Sequence, residues 1–292
     1  MTLKPLVFFG TEQFSLPSLQ ALIDAKWPVE LVVTKPDSKR GRGLGLAEPA
    51  VKSLATKNNI PVTQPEELSE IEDKLITIGA ELAVLVAYGK IIPQEIIDIF
   101  PLGIINVHPS LLPKYRGPAP IEAAILNGDD LTGVSLMRLS AKMDAGPVYA
   151  QSKLRLSGNE KKPELYATLA QMGASLLLDK LDVIASGKLN AAVQDDSLAS
   201  YTQLLKKDDG LIDFEESALV IERKIRAYAN FPKAQAVLFG QRVIITSAHV
   251  VGDEDEAELI VKTSDGLLQI DELIAPSGRK MSSKDFIRGY RR

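Results

Sequence analysis

Asn106 and His108 stand two residues apart where an apolar run, Gly103–Val107, gives way to polar residues. If that run is a strand, alternation places both side chains on the same side, facing one cleft. An amide there can hydrogen-bond a carbonyl oxygen as it becomes an oxyanion. An imidazole beside it can stabilise the same charge or handle a proton, so the pair suits acyl transfer. A capping asparagine and a satisfied histidine at a strand end would look the same. Asp144 lies in Met143-Asp144-Ala145-Gly146-Pro147, a turn-like segment just before another strand. A carboxylate near the histidine would favour its imidazolium form and fix its orientation. An aspartate before glycine is also a common turn former, and spacing alone does not bring it to His108.

The elements that must position these residues alternate along the first half. Leu6–Phe9 reads as an apolar strand ending in Gly10-Thr11, Pro17–Ala25 as a helix and Val29–Thr34 as a second strand. Lys35–Gly45 is a loop rich in Lys, Arg and Gly, with a helix starting near Pro49. Ala80–Ala87 and Gly103–Val107 are near-continuous apolar runs, as strands covered on both faces would be. A helix at Ile121–Leu126, strands near Val134–Leu139 and Val148–Leu156, and a long helix from Pro163 to Ser186 follow. The pattern predicts a doubly wound, mainly parallel α/β sheet, in which ligands sit beyond the carboxyl ends of the strands.

After Lys188 the chain is polar and aperiodic. It divides into a first domain, 1–188, a linker, 189–205, and a second domain, 206–292. The second domain has a helix at Ile221–Ala229. Short strands follow at Ala234–Leu238, Arg242–Ala248, Glu258–Lys262 and Leu267–Leu273, the spacing of a small β-barrel.

Of the 292 residues 45% are hydrophobic and 25% charged, enough apolar material for a sizeable core. Net charge −4 argues against a general nucleic-acid coat, while leaving room for a local basic patch. The absence of cysteine excludes disulfides and thiolate chemistry, and with only His108 and His249 a histidine-rich metal site is not expected. No apolar stretch reaches the roughly 20 residues that span a bilayer, and the N-terminal run is too short for a secretory leader, so the cytoplasm is the expected location. Lys35, Lys39, Arg40 and Arg42 crowd the glycine-containing loop, which reads either as solvated surface or as a phosphate-holding segment.

Asn106-x-His108, Ser110-Leu111-Leu112-Pro113, Arg116-Gly117, Ala119-Pro120-Ile121 and Asp144-x-Gly146 together resemble the folate-dependent formyltransferases. The likeness runs from Phe9-Gly10-Thr11 to Phe286-Ile287-Arg288-Gly289-Tyr290. Pro36-Asp37…Gly41-Arg42-Gly43 with Pro49-x-Val51-Lys52, then Ile212-Asp213, Ile225-Arg226-Ala227 and Met281-Ser282, are similar to the branch of that family acting on initiator methionyl-tRNA. The resemblance implies a Rossmann-like formyltransferase domain followed by an OB-fold-like barrel. It implies transfer of the formyl group of 10-formyltetrahydrofolate to the α-amine of methionine on that tRNA, by a monomer without metal or membrane. It assigns Asn106 and His108 to the formyl oxygen, Asp144 to the histidine, and Ser110, Leu111, Leu112, Pro113, Tyr88 and Gly89 to the folate. Lys39, Arg40, Arg42 and Arg226 fall to the tRNA, Arg226 on a positive face with Arg223, Lys224, Arg279, Lys280, Arg288, Arg291 and Arg292. For that face to work, the acidic run Asp253–Glu258 must lie elsewhere.

The chain departs from the family pattern in places: Pro109 follows the histidine where glycine is usual, Glu12 stands where proline is frequent, and Leu44-Gly45 replace lysines. Tyr228-Ala229-Asn230-Phe231-Pro232 replaces a Pro-Trp-Pro ending. Formyl transfer to a sugar amine is the nearest rival, and formyl transfer to glycinamide ribonucleotide fits poorly because such chains end near the linker. A non-catalytic folate or RNA-binding module would not need all of Asn106, His108 and Asp144. A nicotinamide dehydrogenase fails because Gly10-Thr11-Glu12-Gln13-Phe14 lacks G-x-G-x-x-G.

Overall fold

The computed structural model describes residues 3–40, 45–252 and 258–291. The chain gathers into two compact units. The first comprises Met1–Gly117, Thr132–Leu154 and Tyr166–Tyr201; the second comprises Pro118–Leu131, Arg155–Leu165 and Thr202–Arg292.

The elements follow the predicted alternation: β1 (Leu6–Gly10), α1 (Leu16–Asp24), β2 (Val29–Val33), a ribbon of β3 (Ser38–Arg40) and β4 (Gly45–Ala47), α2 (Ala50–Lys57) and β5 (Val62–Thr63). Next come α3 (Glu72–Ile78), β6 (Leu82–Val86), α4 (Gln94–Asp98), β7 (Ile104–His108), α5 (Pro120–Asn127), β8 (Leu131–Arg138), β9 (Val148–Arg155) and α6 (Lys162–Ala185). Seven strands form one sheet in the order β5-β2-β1-β6-β7-β8-β9. The first five pair in parallel, and β8 runs antiparallel to β7. Strand order reverses between β1 and β6, so the crevice of a doubly wound fold opens where Gly10-Thr11 and Ala87-Tyr88 leave the sheet.

Every residue of β1, β6 and β7 is buried, which accounts for their unbroken apolar sequences. On one face Val7, Phe9, Leu31, Ala83 and Ile104 pack with Leu75, Tyr88, Ile96 and Phe100. The Phe9 ring meets those of Tyr88 and Phe100 edge-on, at 5.6 and 6.2 Å between centroids. Each large apolar side chain so buried contributes about 1.5–3 kcal/mol.

In the second unit α7 (Ala218–Ala227) precedes β10 (Ala234–Leu238), β11 (Gln241–Val251), β12 (Ile260–Lys262), β13 (Leu267–Ile274), β14 (Lys280–Ser282) and α8 (Ser283–Tyr290). Four strands lie antiparallel in the order β10-β11-β13-β12, with β14 also on β13. Register shifts between Ile245 and Ala248 interrupt the long strand β11, as bulges do where a sheet must curl. The sheet folds over Ile221 and Ile225 of α7 and Phe286 of α8. The α5 helix packs on α7 in this unit, and Lys162 pairs with Glu122 at 2.5 Å.

Three regions differ from the sequence pattern. The basic loop begins and ends as a ribbon pairing Ser38 with Ala47 and Lys39 with Leu46. The short elements β5, α3 and α4 go unseen because seven residues or fewer show no usable period. The tail is a helix, α8, capped by the Ser282 hydroxyl, which accepts from Asp285 N. Among the described residues no helix is long and apolar enough to cross a membrane.

Candidate active site

The β7 strand delivers Asn106 and His108 to its carboxyl end, 6% and 5% exposed. Asn106 lies opposite Met137 and His108 opposite Ser135, so β8 braces both from one side. Asp144 comes from the turn between β8 and β9 and joins them. Asn106 Nδ2 donates to Asp144 Oδ1 at 3.3 Å, and His108 Nδ1 lies 3.7 Å from Asp144 Oδ2. That second distance exceeds a hydrogen bond, leaving an electrostatic neighbour. The third partner of the carboxylate is Gly117 N, which donates to Oδ2 at 2.8 Å. The predicted triad is thus one cluster, with Asp144 at its hub.

On the far side of the ring His108 Nε2 sits 2.9 Å from Tyr115 O. A carbonyl only accepts, so Nε2 carries a proton, and both ring nitrogens face oxygen. The chain reaches this arrangement through left-handed residues at Tyr115 (φ 60), Gly117 (φ 110) and Asp144 (φ 46). For Asp144 such a conformation is tolerated only with local hydrogen bonding. Gln194 supplies it, donating to the carbonyls of Asp144 at 2.8 Å and Gly146 at 2.6 Å. Gln194 Oε1 accepts from Arg116 Nε and NH2 at 3.1 and 2.9 Å. Arg116 is 1% exposed and also donates to Asp196 Oδ1 at 2.6 Å and Tyr201 OH at 2.9 Å. Burial pulls its guanidinium down, but the bonds to Asp196 and Tyr201 outweigh this and hold it above its usual range.

Sequence reasoning passed over Gln194, Asp196 and Tyr201, since a polar aperiodic stretch reads as a linker. In the structure this stretch is stitched down: Val148 and Ala192 exchange both backbone bonds at 2.8 Å, and Arg116 N donates to Ser200 O at 2.8 Å. The one available signal was Arg116 itself, a buried cation that must find acceptors somewhere.

The residues assigned to the folate divide. Ser110 and Leu112 are buried, at 1% and 5% exposure. The Ser110 hydroxyl donates to Lys114 O at 2.5 Å, and Ser135 Oγ donates to Ser110 O at 2.6 Å. These two side chains therefore shape the loop that turns the chain back past His108, while Leu111 and Pro113 remain half-exposed. Pro113 joins Leu112, Tyr149, Gln151 and Gln194 in lining a cleft of about 350 Å³, to which Asn106 and His108 do not contribute. Tyr88, assigned to the folate, is corrected as a side-chain contact: its ring is fully buried against Phe9, and its backbone carbonyl accepts from Thr11 Oγ1. Gly89 is exposed at φ 75, and a Cβ there would stand 2.5 Å from Lys35 Nζ.

The Tyr88 hydroxyl is buried and finds no partner among the described residues. Burial, helped by the Glu67 charge, pushes its pKa up from 10.0 to about 12. The unfolded phenol ionises first, so stability is lost as pH rises from about 10 to 12. In Tyr88→Phe this loss disappears, and at neutral pH the stability of the variant equals or slightly exceeds that of the wild type. Thermal melts of both chains across that pH range test this; equal pH dependence would contradict it.

Among the residues assigned to tRNA, Arg42, with Gly41 and Gly43, lies outside the described residues. The backbone of Lys39 and Arg40 forms β3. Asp37, at the root of the loop, accepts from Gln64 at 2.7 Å and Lys52 at 2.8 Å, bonds that hold its carboxyl below the usual range. Arg226 is corrected. Only 7% exposed, it donates through Nε and NH2 to Glu222 at 2.5 and 2.9 Å and through NH1 to Glu160 O at 3.0 Å. A guanidinium so enclosed is not part of a surface. Lys224 pairs with Glu216 and Lys280 with Glu272, which thins the expected positive face. Arg292 and residues 253–257 of the acidic run lie outside the described residues. Glu258, which ends that run, meets Lys284 of α8 at 3.3 Å, so this acid lies against the helix that carries Arg288. Arg226→Ala should therefore cost stability, about 1–3 kcal/mol by denaturant titration, and leave the KM for a tRNA substrate unchanged. A raised KM in a fully stable variant would restore the surface assignment.

A doubly wound sheet with an amide, an imidazole and a carboxylate gathered at its carboxyl edge, followed by a curled antiparallel sheet, defines a class. The sequence pattern of the formyl transferase family matches residues 3–181, and that of the formyl transferase C-terminal domain matches residues 204–291. The chain belongs to the formyl transferase family. Among its relatives, methionyl-tRNA formyltransferase of Sulfurihydrogenibium sp. (strain YO3AOP1) is 40% identical over 98% of this chain and 97% of its own. That of Coxiella burnetii (strain RSA 331 / Henzerling II) is 39% identical over 99% and 96%. In fold the chain is similar to the N-formyltransferase from Helicobacter canadensis, solved with folinic acid and dTDP-3-aminofucose (TM-score 0.70, 18% identity, 96% of this chain and 100% of that one). It is also similar to HypX from Aquifex aeolicus solved with tetrahydrofolic acid (TM-score 0.65, 17% identity, 99% of this chain); here it spans about half, 48%, of the longer protein.

Proposed function

We propose that this enzyme transfers the formyl group of 10-formyltetrahydrofolate to the α-amine of methionine esterified to initiator tRNA. The observation that carries the reading is the closed cluster of Asn106, His108 and Asp144 at the β7 edge. Identity near 40% along nearly the whole of two methionyl-tRNA formyltransferases supports the choice of acceptor over a sugar amine.

The co-substrate supplies an activated formyl carbon. As the amine lone pair forms the new C–N bond, the carbonyl π pair moves onto oxygen. Asn106 offers a second N–H beyond the one given to Asp144, and that donor suits the developing oxyanion. His108 stands beside Asn106 at the same edge, its Nε2–H directed at Tyr115 O and its Nδ1 side 3.7 Å from Asp144 Oδ2, and the imidazole shares the stabilisation of that charge. When the carbonyl re-forms, the bond to folate N10 breaks and N10 takes up the proton released by the amine, so charge and protons balance. Lys39, Arg40 and Arg42 on the ribbon loop hold acceptor phosphates, and Leu111, Pro113 and Gly89 lie on the folate side.

Formyl transfer from 10-formyltetrahydrofolate is measured in parallel with methionyl initiator tRNA and with a dTDP-amino sugar. Rapid transfer to the tRNA alone is expected. Transfer to the sugar alone would replace this reading.

A further inference from the structure

We propose that Gln194, held by Arg116, is a positioning residue for formyl transfer. The segment 192–201, lying between the two family matches, then becomes a working part of the reacting centre. The proposal rests on the formyl-transfer reading.

Gln194 has both polar atoms of its side chain committed. Its Oε1 takes two guanidinium N–H bonds from Arg116, at 3.1 and 2.9 Å. Its amide hydrogens go to Asp144 O at 2.8 Å and Gly146 O at 2.6 Å. These partners settle the orientation of the amide, since a guanidinium only donates and a carbonyl only accepts. Gln194 therefore holds the turn at the point where Asp144 adopts φ 46.

Arg116 holds the other side. Its own chain neighbours make the two remaining contacts of the cluster: Tyr115 O faces His108 Nε2, and Gly117 N donates to Asp144 Oδ2. Tyr115 N in turn donates to Ser200 Oγ at 2.9 Å, and Ser200 N to Pro113 O at 3.3 Å. One amide thus joins the loop that presents a partner to His108 with the turn that carries Asp144. Both act through Asp144 and the backbone beside it.

Gln194→Glu is the informative variant. It keeps the shape and an acceptor for Arg116 but replaces the donating amide with a carboxylate facing two carbonyls. We expect kcat to fall about 10–100-fold, the scale of a misplaced catalytic group, with KM for the folate and for methionyl-tRNA within about twofold. In an Asp144→Ala background the same change should cost nothing further, because the route through Asp144 is already gone. Should Gln194→Glu fail to fold, Arg116→Lys takes its place: a lysine cannot span Gln194, Asp196 and Tyr201, and the same pair of outcomes is expected. A wild-type kcat in the variant, or a loss that adds in full to that of Asp144→Ala, overturns the proposal while the formyl-transfer reading stands. A wild-type chain that formylates no amine overturns both.

Discussion

His108→Ala lowers kcat for formyl transfer by about 10²–10⁴-fold, the span covered by losing a positioned proton-transfer or oxyanion-stabilising group. The imidazole is nearly enclosed, at 5% exposure, so water does not readily substitute for it. Its removal also frees Tyr115 O and one side of Asp144. Asn106→Ala takes away one oxyanion donor and should cost about 10²–10³-fold. Because both act on the same oxygen and share Asp144, the double variant should lose less than the product of the two effects. KM for the folate should change little in either. If steady-state kinetics instead gave a raised KM at unchanged kcat, the two residues would be binding groups and the assignment to the reacting oxygen would fall.

Outside the triad itself, Gly146→Ala is expected to have the largest effect, and for a backbone reason. A Cβ at this position would lie 1.8 Å from Arg138 O, a main-chain atom of β8 that cannot swing aside. Arg138 N donates to Pro147 O at 2.8 Å, and Gly146 O accepts from Gln194, so neither side of the contact is free to move. The turn must therefore shift as a piece, and Asp144 moves with it. A displacement near 1 Å at a reacting centre costs about 100-fold in rate, and overpacking of this kind costs about 1–3 kcal/mol in stability. Turnover and thermal unfolding of Gly146→Ala should both fall. A variant with normal kcat would mean the β8–β9 turn can move without carrying Asp144 out of reach.

Where the sequence was readable, a local period or a covered strand made it so. Near-continuous apolar runs at Leu6–Phe9, Ala80–Ala87 and Gly103–Val107 announced the strands Leu6–Gly10, Leu82–Val86 and Ile104–His108, because both faces of the sheet are buried there. Alternation placed Asn106 and His108 together, and the Asp-x-Gly spacing marked a turn. The meeting of that turn with His108 was not readable, since 36 positions of chain carry no direction in space. Gln194 was hidden further, as its partners lie 48, 50 and 78 positions away. Arg226 misled because a charge in a helix suggests a surface. The signal that corrects it was present: Glu222 stands four residues earlier, on the same helix face. Tyr88 misled for the opposite reason, because a strand-end position suggested a cleft wall while the ring itself fills the core.

The path of the chain also bears on how these enzymes could be recombined. The segments Pro118–Leu131 and Arg155–Leu165 cluster with Thr202–Arg292, with α5 against α7 and the Arg226 guanidinium on Glu160 O. A chimera that exchanges only the part after residue 201 between two relatives would sever those shared surfaces, pairing one parent's α5 with the other's α7. Grafts that carry 118–131 and 155–165 along with the C-terminal part keep the native partners together, although they require four junctions more than a single cut.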